Sequence, residues 1–501
     1  MGNKASYRFH RRDFAKAAGL GTAGLLLGNG LAGLARADER PNVLLIIVDQ
    51  MRQPRWTPAG VTPRIDRLAQ SGVSFTQHFV SAVPCSPSRA CLMTGTYTTQ
   101  NHMFSNCDFQ VGARQPSLSP AIPTLGTMFR KAGYRTPYRG KWHLTRKADR
   151  TPHDPLIAYG FEGWKPPEAP FGGAPYNGAV MDPVYAHEAC AWLEDKKNHR
   201  QPWLLVSSLV NPHDICEWPR YYPQTRLKPV HTDHLPDNWQ DDLSTKPGCQ
   251  REFQERYQKL AGMVDPKDDK AWRRYLDYYL QCQRDVDGNV GKVLAALERS
   301  GQRENTLVVF TSDHGEMAGS HGLRTKGCFA YEEVMNVPLI FSWPGRLEAG
   351  RTTSAFASNV DLIPTLASLT GIPALPYLAG KDLSPVLAHP DAGAVREEII
   401  YHQGWELEVG LTQQSRTSAF AHPAHVRCLR DRDWKYVYYF SPDRPETEFE
   451  LYRLQEDPLE LHNLANDPGY LEKRRELHER LMAEEKKLVA EFEVRDGGSG
   501  S

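Results

Sequence analysis

The chain has no CxxC pair and no regular spacing among its nine cysteines, so neither a disulfide framework nor a structural zinc pattern is written in it. It has no excess of charge, since 60 basic residues balance 60 acidic ones, and this gives no electrostatic reason to expect nucleic acid or an anionic membrane as partner. It has no internal repeat and no long low-complexity segment. Outside a glycine-containing run near the N-terminus, it has no apolar stretch long enough to cross a bilayer. What remains is a globular composition, 40% apolar over 501 residues, suited to a large core domain with a smaller second one.

The N-terminus carries an address. Arg11-Arg12-Asp13-Phe14 precedes a mildly apolar stretch from Ala17 to Leu34, and Ala35-Arg36-Ala37 offers small residues for cleavage. Residues 1–37 therefore read as a twin-arginine-type signal peptide, with a periplasmic or secreted destination. An anchoring helix is disfavoured by the glycines, so no stable membrane insertion is expected. Removing the six basic and one acidic residue of this leader leaves 54 basic against 59 acidic residues.

Continuous apolar runs at Val43–Val48, Trp203–Val210, Thr306–Phe310 and Val337–Phe341 have the character of strands buried on both faces. Helix candidates lie between them at Arg64–Gln70, Ile122–Ala132, Pro183–Lys197 and Asp268–Glu298. The alternation predicts an α/β fold with a large, mostly parallel sheet flanked by helices, over residues 38–389. Residues 390–492 change character: short strands at Val426–Leu429, Lys435–Tyr439 and Glu450–Arg453 and a charged helix over Asp467–Phe492 predict a smaller antiparallel sheet plus helix. Residues 493–501 are expected to be a disordered tail.

The residues after the strands are more informative. Val43–Val48 ends in Asp49-Gln50, Thr306–Phe310 leads into Asp313-His314, and Trp203–Val210 into Asn211-Pro212-His213-Asp214. A short segment, Tyr134–Arg139, ends in Gly140-Lys141-Trp142-His143. Ligands of open parallel sheets bind beyond the carboxyl ends of the strands. Four segments thus place acids, imidazoles and a lysine along one sheet edge. Asp49, Asp313 and His314 could share one cation, and an oxygen-rich set favours a hard ion. Cys85-Ser86-Pro87-Ser88-Arg89 supplies a second feature. Pro87 suits a first helical turn, which puts Cys85 at a helix N-terminus where amides and dipole favour negative charge.

Cys85-x-Pro87-x-Arg89, continuing to Thr94-Gly95, resembles the signature of the sulfatase family, and the other motifs follow in that family's order over most of the chain. The resemblance implies that Cys85 is oxidised to formylglycine by a formylglycine-generating enzyme, its partner during maturation. It implies metal ligation by Asp49, residue 85, Asp313 and His314, with Gln50 as a further ligand and Ca2+ as the usual ion. The Asp49-Gln50 and Asp313-His314 pairs resemble the choline sulfatase and phosphonate monoester hydrolase branches, and one fewer carboxylate leaves Mn2+, Mg2+ or Zn2+ open. The implied catalytic set is Cys85, Arg89, Lys141, His143, His213 and Lys326. Arg139 departs from the small or aliphatic residue usual before Gly140, and His321 stays outside this set. The expected activity is hydrolysis of a carbohydrate or aryl sulfate ester with release of sulfate. Hydrolysis of a phosphonate monoester or phosphodiester on the same scaffold, and an inactive relative that binds sulfated glycans, are the alternatives.

Overall fold

The computed structural model describes residues 40–107, 115–150, 153–166, 168, 177–218, 232, 234–262, 264–327, 329–389, 392–404, 425–441 and 445–497. The expected leader, residues 1–37, lies outside the described residues. In chain order the described strands are β1 (Asn42–Asp49), β2 (Val73–Phe75), β3 (His78–Phe79), β4 (Ala82–Val83), β5 (Tyr138–Gly140), β6 (Leu204–Pro212), β7 (Thr306–Ser312), β8 (Leu339–Ser342), β9 (Arg351–Thr353), β10 (Ala357–Ser358), β11 (Ile399–Gly404), β12 (His425–Arg430), β13 (Trp434–Phe440) and β14 (Thr447–Arg453).

β1 is buried along its whole length, as its unbroken apolar run requires. It lies between β6 and β7 in the interior of a seven-stranded sheet in the order β5-β6-β1-β7-β8-β2-β9. The two faces alternate residue by residue. Val43, Leu45 and Ile47 join Leu204, Val206, Leu307 and Val309 on one face, under the helices Cys85–Thr94 and Leu125–Lys131. Leu44, Ile46 and Val48 join Leu205, Val308 and Phe310 on the other, under Pro63–Gln70, Asn177–Glu194 and Asp269–Arg299. Full burial of each such side chain contributes about 1.5–3 kcal/mol, so these rows hold the sheet between its helix layers.

The four strands β5, β6, β1 and β7 run parallel and carry the site at their common carboxyl edge. β8 departs from that direction, pairing antiparallel with β7. Its chain turns back from the end of β7 without a crossover that would return it to the starting edge, and the strand begins only after Pro338. Pro183 does not start its helix; the helix starts six residues earlier at Asn177, with Pro183 inside it. The carboxylate of the neighbouring Asp182 receives the amides of Val210 (2.6 Å) and Asn211 (2.8 Å), so this helix grips the end of β6 just before His213.

The C-terminal sheet has the order β14-β13-β12-β11-β4. Four of its strands are antiparallel neighbours, but β4 joins β11 in parallel, and β4 ends two residues before Cys85. The smaller sheet is therefore anchored directly beside the candidate nucleophile. Leu477 and Leu481 of the last helix pack on Tyr436, Leu451, Leu429 and Ile400. That helix spans Leu471–Gly497, so it continues through 493–497, a segment without a helix breaker before its final glycine. The rest of the expected tail, 498–501, lies outside the described residues.

Candidate active site

Cys85 is the first residue of its helix and is buried with the whole of that helix. Its Sγ lies 3.2 Å from His314 Nε2 and 3.7 Å from Asp49 Oδ1. Asp49, Cys85, Asp313 and His314 form a buried group whose ligand-type atoms all lie within 4.8 Å of one another. His314 Nδ1 faces the carbonyl of Gly315 at 2.9 Å, so donation there fixes the tautomer that leaves Nε2 as the inward lone pair. Two carboxylates, an imidazole nitrogen and residue 85 fit a divalent cation, with hard oxygen donors making up half of the set.

Arg89 organises the acids from one turn further along the same helix. Its Nε donates to Asp313 Oδ2 at 2.8 Å and its Nη2 to Asp49 Oδ2 at 3.1 Å. Nη1 donates to the Lys141 carbonyl and to Ser208 Oγ, both at 2.9 Å. Burial opposes the guanidinium charge, but Asp313 and Asp49 outweigh it and push its pKa up. Lys141 Nζ lies 2.5 Å from Asp49 Oδ2. Burial pushes the Asp49 carboxyl up, yet Lys141, His213, Arg89 and His314 together hold it well below the usual carboxylate range. Asp313 moves the other way, because burial and the Asp49 charge outweigh Arg89 and His314.

The imidazoles His143 and His213 have their pKa values lowered well below the usual value, first by burial and then by the positive charge of Lys141. Both are therefore neutral at neutral pH, able to take or relay a proton. His213 follows β6 in the 3-10 turn His213–Glu217 and is partly exposed. Lys326, also partly exposed, donates to Gln50 Oε1 at 2.9 Å, and its charge helps lower the pKa of Cys85. Gln50 has φ +71. Its backbone amide donates to Asp313 Oδ1 at 3.1 Å, its side-chain nitrogen to Glu316, and its side-chain oxygen receives Lys326 and the Cys216 thiol. The structure thus brings Asp49, Gln50, Cys85, Arg89, Lys141, His143, His213, Asp313, His314 and Lys326 to one place.

Other features fall outside it. Arg139 turns to the carbonyls of Tyr138 and Gly163, at 2.8 and 2.7 Å. His321 pairs with Asp241 at 2.6 Å and stacks on Tyr331. Trp218 is core, packed on Tyr275 and Tyr278, and Gln100 and Asn101 are buried. Two buried carboxylates at the site carried no readable motif. Glu316 gathers Gln50, the Tyr275 hydroxyl and the amides of Ala318 and Thr325, which locates the loop leading to Lys326; its place directly after Asp313-His314-Gly315 was the available signal. Glu168 receives the amides of Trp142 and His143, and nothing in its surrounding sequence marks it.

A family model described as Sulfatase matches residues 41–372. The chain belongs to the sulfatase family. It is accordingly a sulfuric ester hydrolase, and the buried polar centre at the carboxyl edge of the parallel strands is this sulfatase's candidate active site. A second model, described as N-sulphoglucosamine sulphohydrolase, C-terminal, matches residues 319–487. A Delta 4,5-hexuronate-2-O-sulfatase of Bacteroides thetaiotaomicron is 28% identical over 485 residues, 94% of this chain and 92% of that one. A choline-sulfatase of Rhizobium meliloti is 27% identical, covering 86% of this chain and 83% of its own. The crystal structure of a phosphonate monoester hydrolase of Agrobacterium radiobacter superposes with a TM-score of 0.68 at 25% identity, covering 90% of this chain and 96% of that one.

Proposed function

We propose that this sulfatase is exported and releases inorganic sulfate from sulfated carbohydrates, using a formylglycine made from Cys85 and a divalent cation held by Asp49, residue 85, Asp313 and His314. The observation that carries the reading is the position of Cys85 Sγ against His314 Nε2 and Asp49, at the foot of a helix whose Arg89 binds both acids. Oxidised to formylglycine and hydrated, residue 85 supplies an oxygen nucleophile, and the bound cation supplies a Lewis acid that lowers the charge cost of attack on sulfur.

The chain's own residues do the rest. Lys141 and Lys326 hold the sulfonate oxygens and offset the charge that develops on them. His213, neutral at rest, takes the proton that the attacking hydroxyl of residue 85 gives up and passes it to the departing alkoxide, a step worth about 10²–10⁴-fold. His143 takes the proton that must leave residue 85 before sulfate departs. Arg89, bonded to both carboxylates, keeps Asp49 and Asp313 aligned in the buried site. Similarity to a hexuronate-2-O-sulfatase over nearly the whole chain supports a sulfated sugar as substrate. The Arg11-Arg12 leader supports export by the twin-arginine pathway, and a formylglycine-generating enzyme is the required maturation partner.

A second reading, phosphonate monoester hydrolysis, is favoured by one observation: Gln50 and His314 stand where the usual pattern has other residues, and the fold matches a phosphonate monoester hydrolase. Parallel assays with sulfated disaccharides, 4-nitrophenyl sulfate, choline sulfate and a phosphonate monoester separate the two. Sulfated sugars are expected to give the highest kcat/KM. A phosphonate preference above about tenfold, a barrier difference of roughly 1.4 kcal/mol, would overturn the assignment.

A further inference from the structure

Of the imidazoles at this site, His143 has the most constrained backbone. It has φ +58, a left-handed conformation that a residue with a side chain rarely adopts. The Trp142 amide and the amide of His143 itself converge on one spot, a cradle of two adjacent donors for an anion. Glu168 fills that cradle from a distant part of the chain. Its Oε1 receives the Trp142 amide at 2.6 Å and the His143 amide at 2.5 Å. Its Oε2 receives Arg150 Nη2 at 2.5 Å, and the same nitrogen holds the Thr145 carbonyl at 3.0 Å.

The opposite side of the residue is held as well. The His143 carbonyl receives Ser86 Oγ at 2.6 Å, and Ser86 is the neighbour of Cys85. Trp142 is pinned in the core by its own Nε1, which donates to Thr145 Oγ1 at 2.6 Å, and by edge contacts with Tyr138 and Phe161. Glu168 is buried, and burial pushes its carboxyl above its ordinary value against the opposing pull of Arg150, Lys141 and the two amides. Its recorded bonds go to backbone amides and Arg150, not to the imidazole or to residue 85.

We propose that Glu168, clamped by Arg150, is a positioning residue that holds the His143 imidazole in its working orientation toward residue 85. The proposal rests on the function proposed above for His143, and it deepens that reading by adding a residue that acts through it. Glu168 does no chemistry on substrate; it fixes the backbone from which the imidazole projects. A displacement of about 1 Å at a reacting group can cost about 10²-fold in rate.

The test is a double-mutant cycle read with the best sulfate ester of the wild-type enzyme. Glu168→Ala is expected to lower kcat by about 10²-fold while KM changes by less than about threefold, because substrate binding is left in place. Glu168→Gln keeps an oxygen for the two amides and is expected to recover most of that loss. In a His143→Ala background, Glu168→Ala should cost less than about twofold more, since the group it positions is gone. Equal loss in both backgrounds would overturn the proposal, because Glu168 would then act elsewhere. Should Glu168→Ala fail to fold, Arg150→Met is put through the same cycle, with the same two outcomes. A readout independent of turnover is the 15N resonance of the His143 ring, which should shift or broaden in Glu168→Ala while His213 stays put; an unchanged His143 signal would also overturn the clamp. If the wild type hydrolyses no sulfate ester, the functional reading fails, and the ring resonance still decides the clamp.

Discussion

Arg89→Met removes the cation that contacts both acids of the proposed metal site and leaves a side chain of similar length. The guanidinium is fully buried and bonds Asp313 at 2.8 Å and Asp49 at 3.1 Å. Removing one partner of a buried ion pair costs about 3–5 kcal/mol, because the other charge stays buried without its counter-ion. At roughly 1 °C per kcal/mol for a chain of this size, the chelator-treated variant should melt about 3–5 °C below the chelator-treated wild type. A divalent ion at the proposed site would be held by the same carboxylates and would substitute for part of the missing charge. Metal should therefore stabilise the variant by more than it stabilises the wild type, where an excess of 100 times Kd contributes about 2.7 kcal/mol. The assay is a thermal melt of each protein with chelator and with excess Ca2+ or Mn2+. A chelated variant within about 2 °C of the chelated wild type, or equal metal stabilisation of both, would refute this account of Arg89.

Four further outcomes follow from the same geometry. Cys85→Ala should lose more than about 10³-fold in kcat with its melting temperature nearly unchanged, as steady-state kinetics and circular dichroism would report. His213→Ala should lose about 10²–10⁴-fold on alkyl sulfates, and far less on 4-nitrophenyl sulfate, whose departing group needs no proton. Burial raises the Glu485 carboxyl, but His402 and Arg427 (3.0 and 2.6 Å away) hold it down at about 2, below its ordinary value of 4.5. The folded group therefore contributes stability above pH 4.5 that disappears as pH falls toward 2, about 2–3 kcal/mol, and Glu485→Gln should flatten urea midpoints measured between pH 5 and 3. Arg11→Lys with Arg12→Lys should retain the protein in the cytoplasm, as fractionation would show; undiminished export would exclude the twin-arginine route.

Much of this centre was legible before any fold was considered. The unbroken apolar runs of β1, β6 and β7 identify buried parallel strands, and a polar residue just past such a run has one place to go, the carboxyl edge. Asp49, His213, Asp313 and His314 were readable for that reason, and Cys85, Pro87 and Arg89 by their spacing. Other features depend on contacts that no local pattern encodes. β4 is two residues long, and its membership of the C-terminal sheet is decided by β11, more than 300 positions away. Pro183 reads as a helix start, yet Asp182 gains enough from the β6 amides to keep the helix running through it. Glu168 meets the Trp142 and His143 amides only once the chain has folded back on itself, a pairing that no pattern around residue 168 announces.

The most direct measurement is the mass of the tryptic peptide carrying residue 85, taken on protein whose turnover of a sulfate ester is measured in parallel. The account predicts a peptide lighter than the cysteine form by the difference between a thiol and an aldehyde, with turnover per chain proportional to the modified fraction. Full turnover from protein whose residue 85 is entirely unmodified cysteine would contradict it.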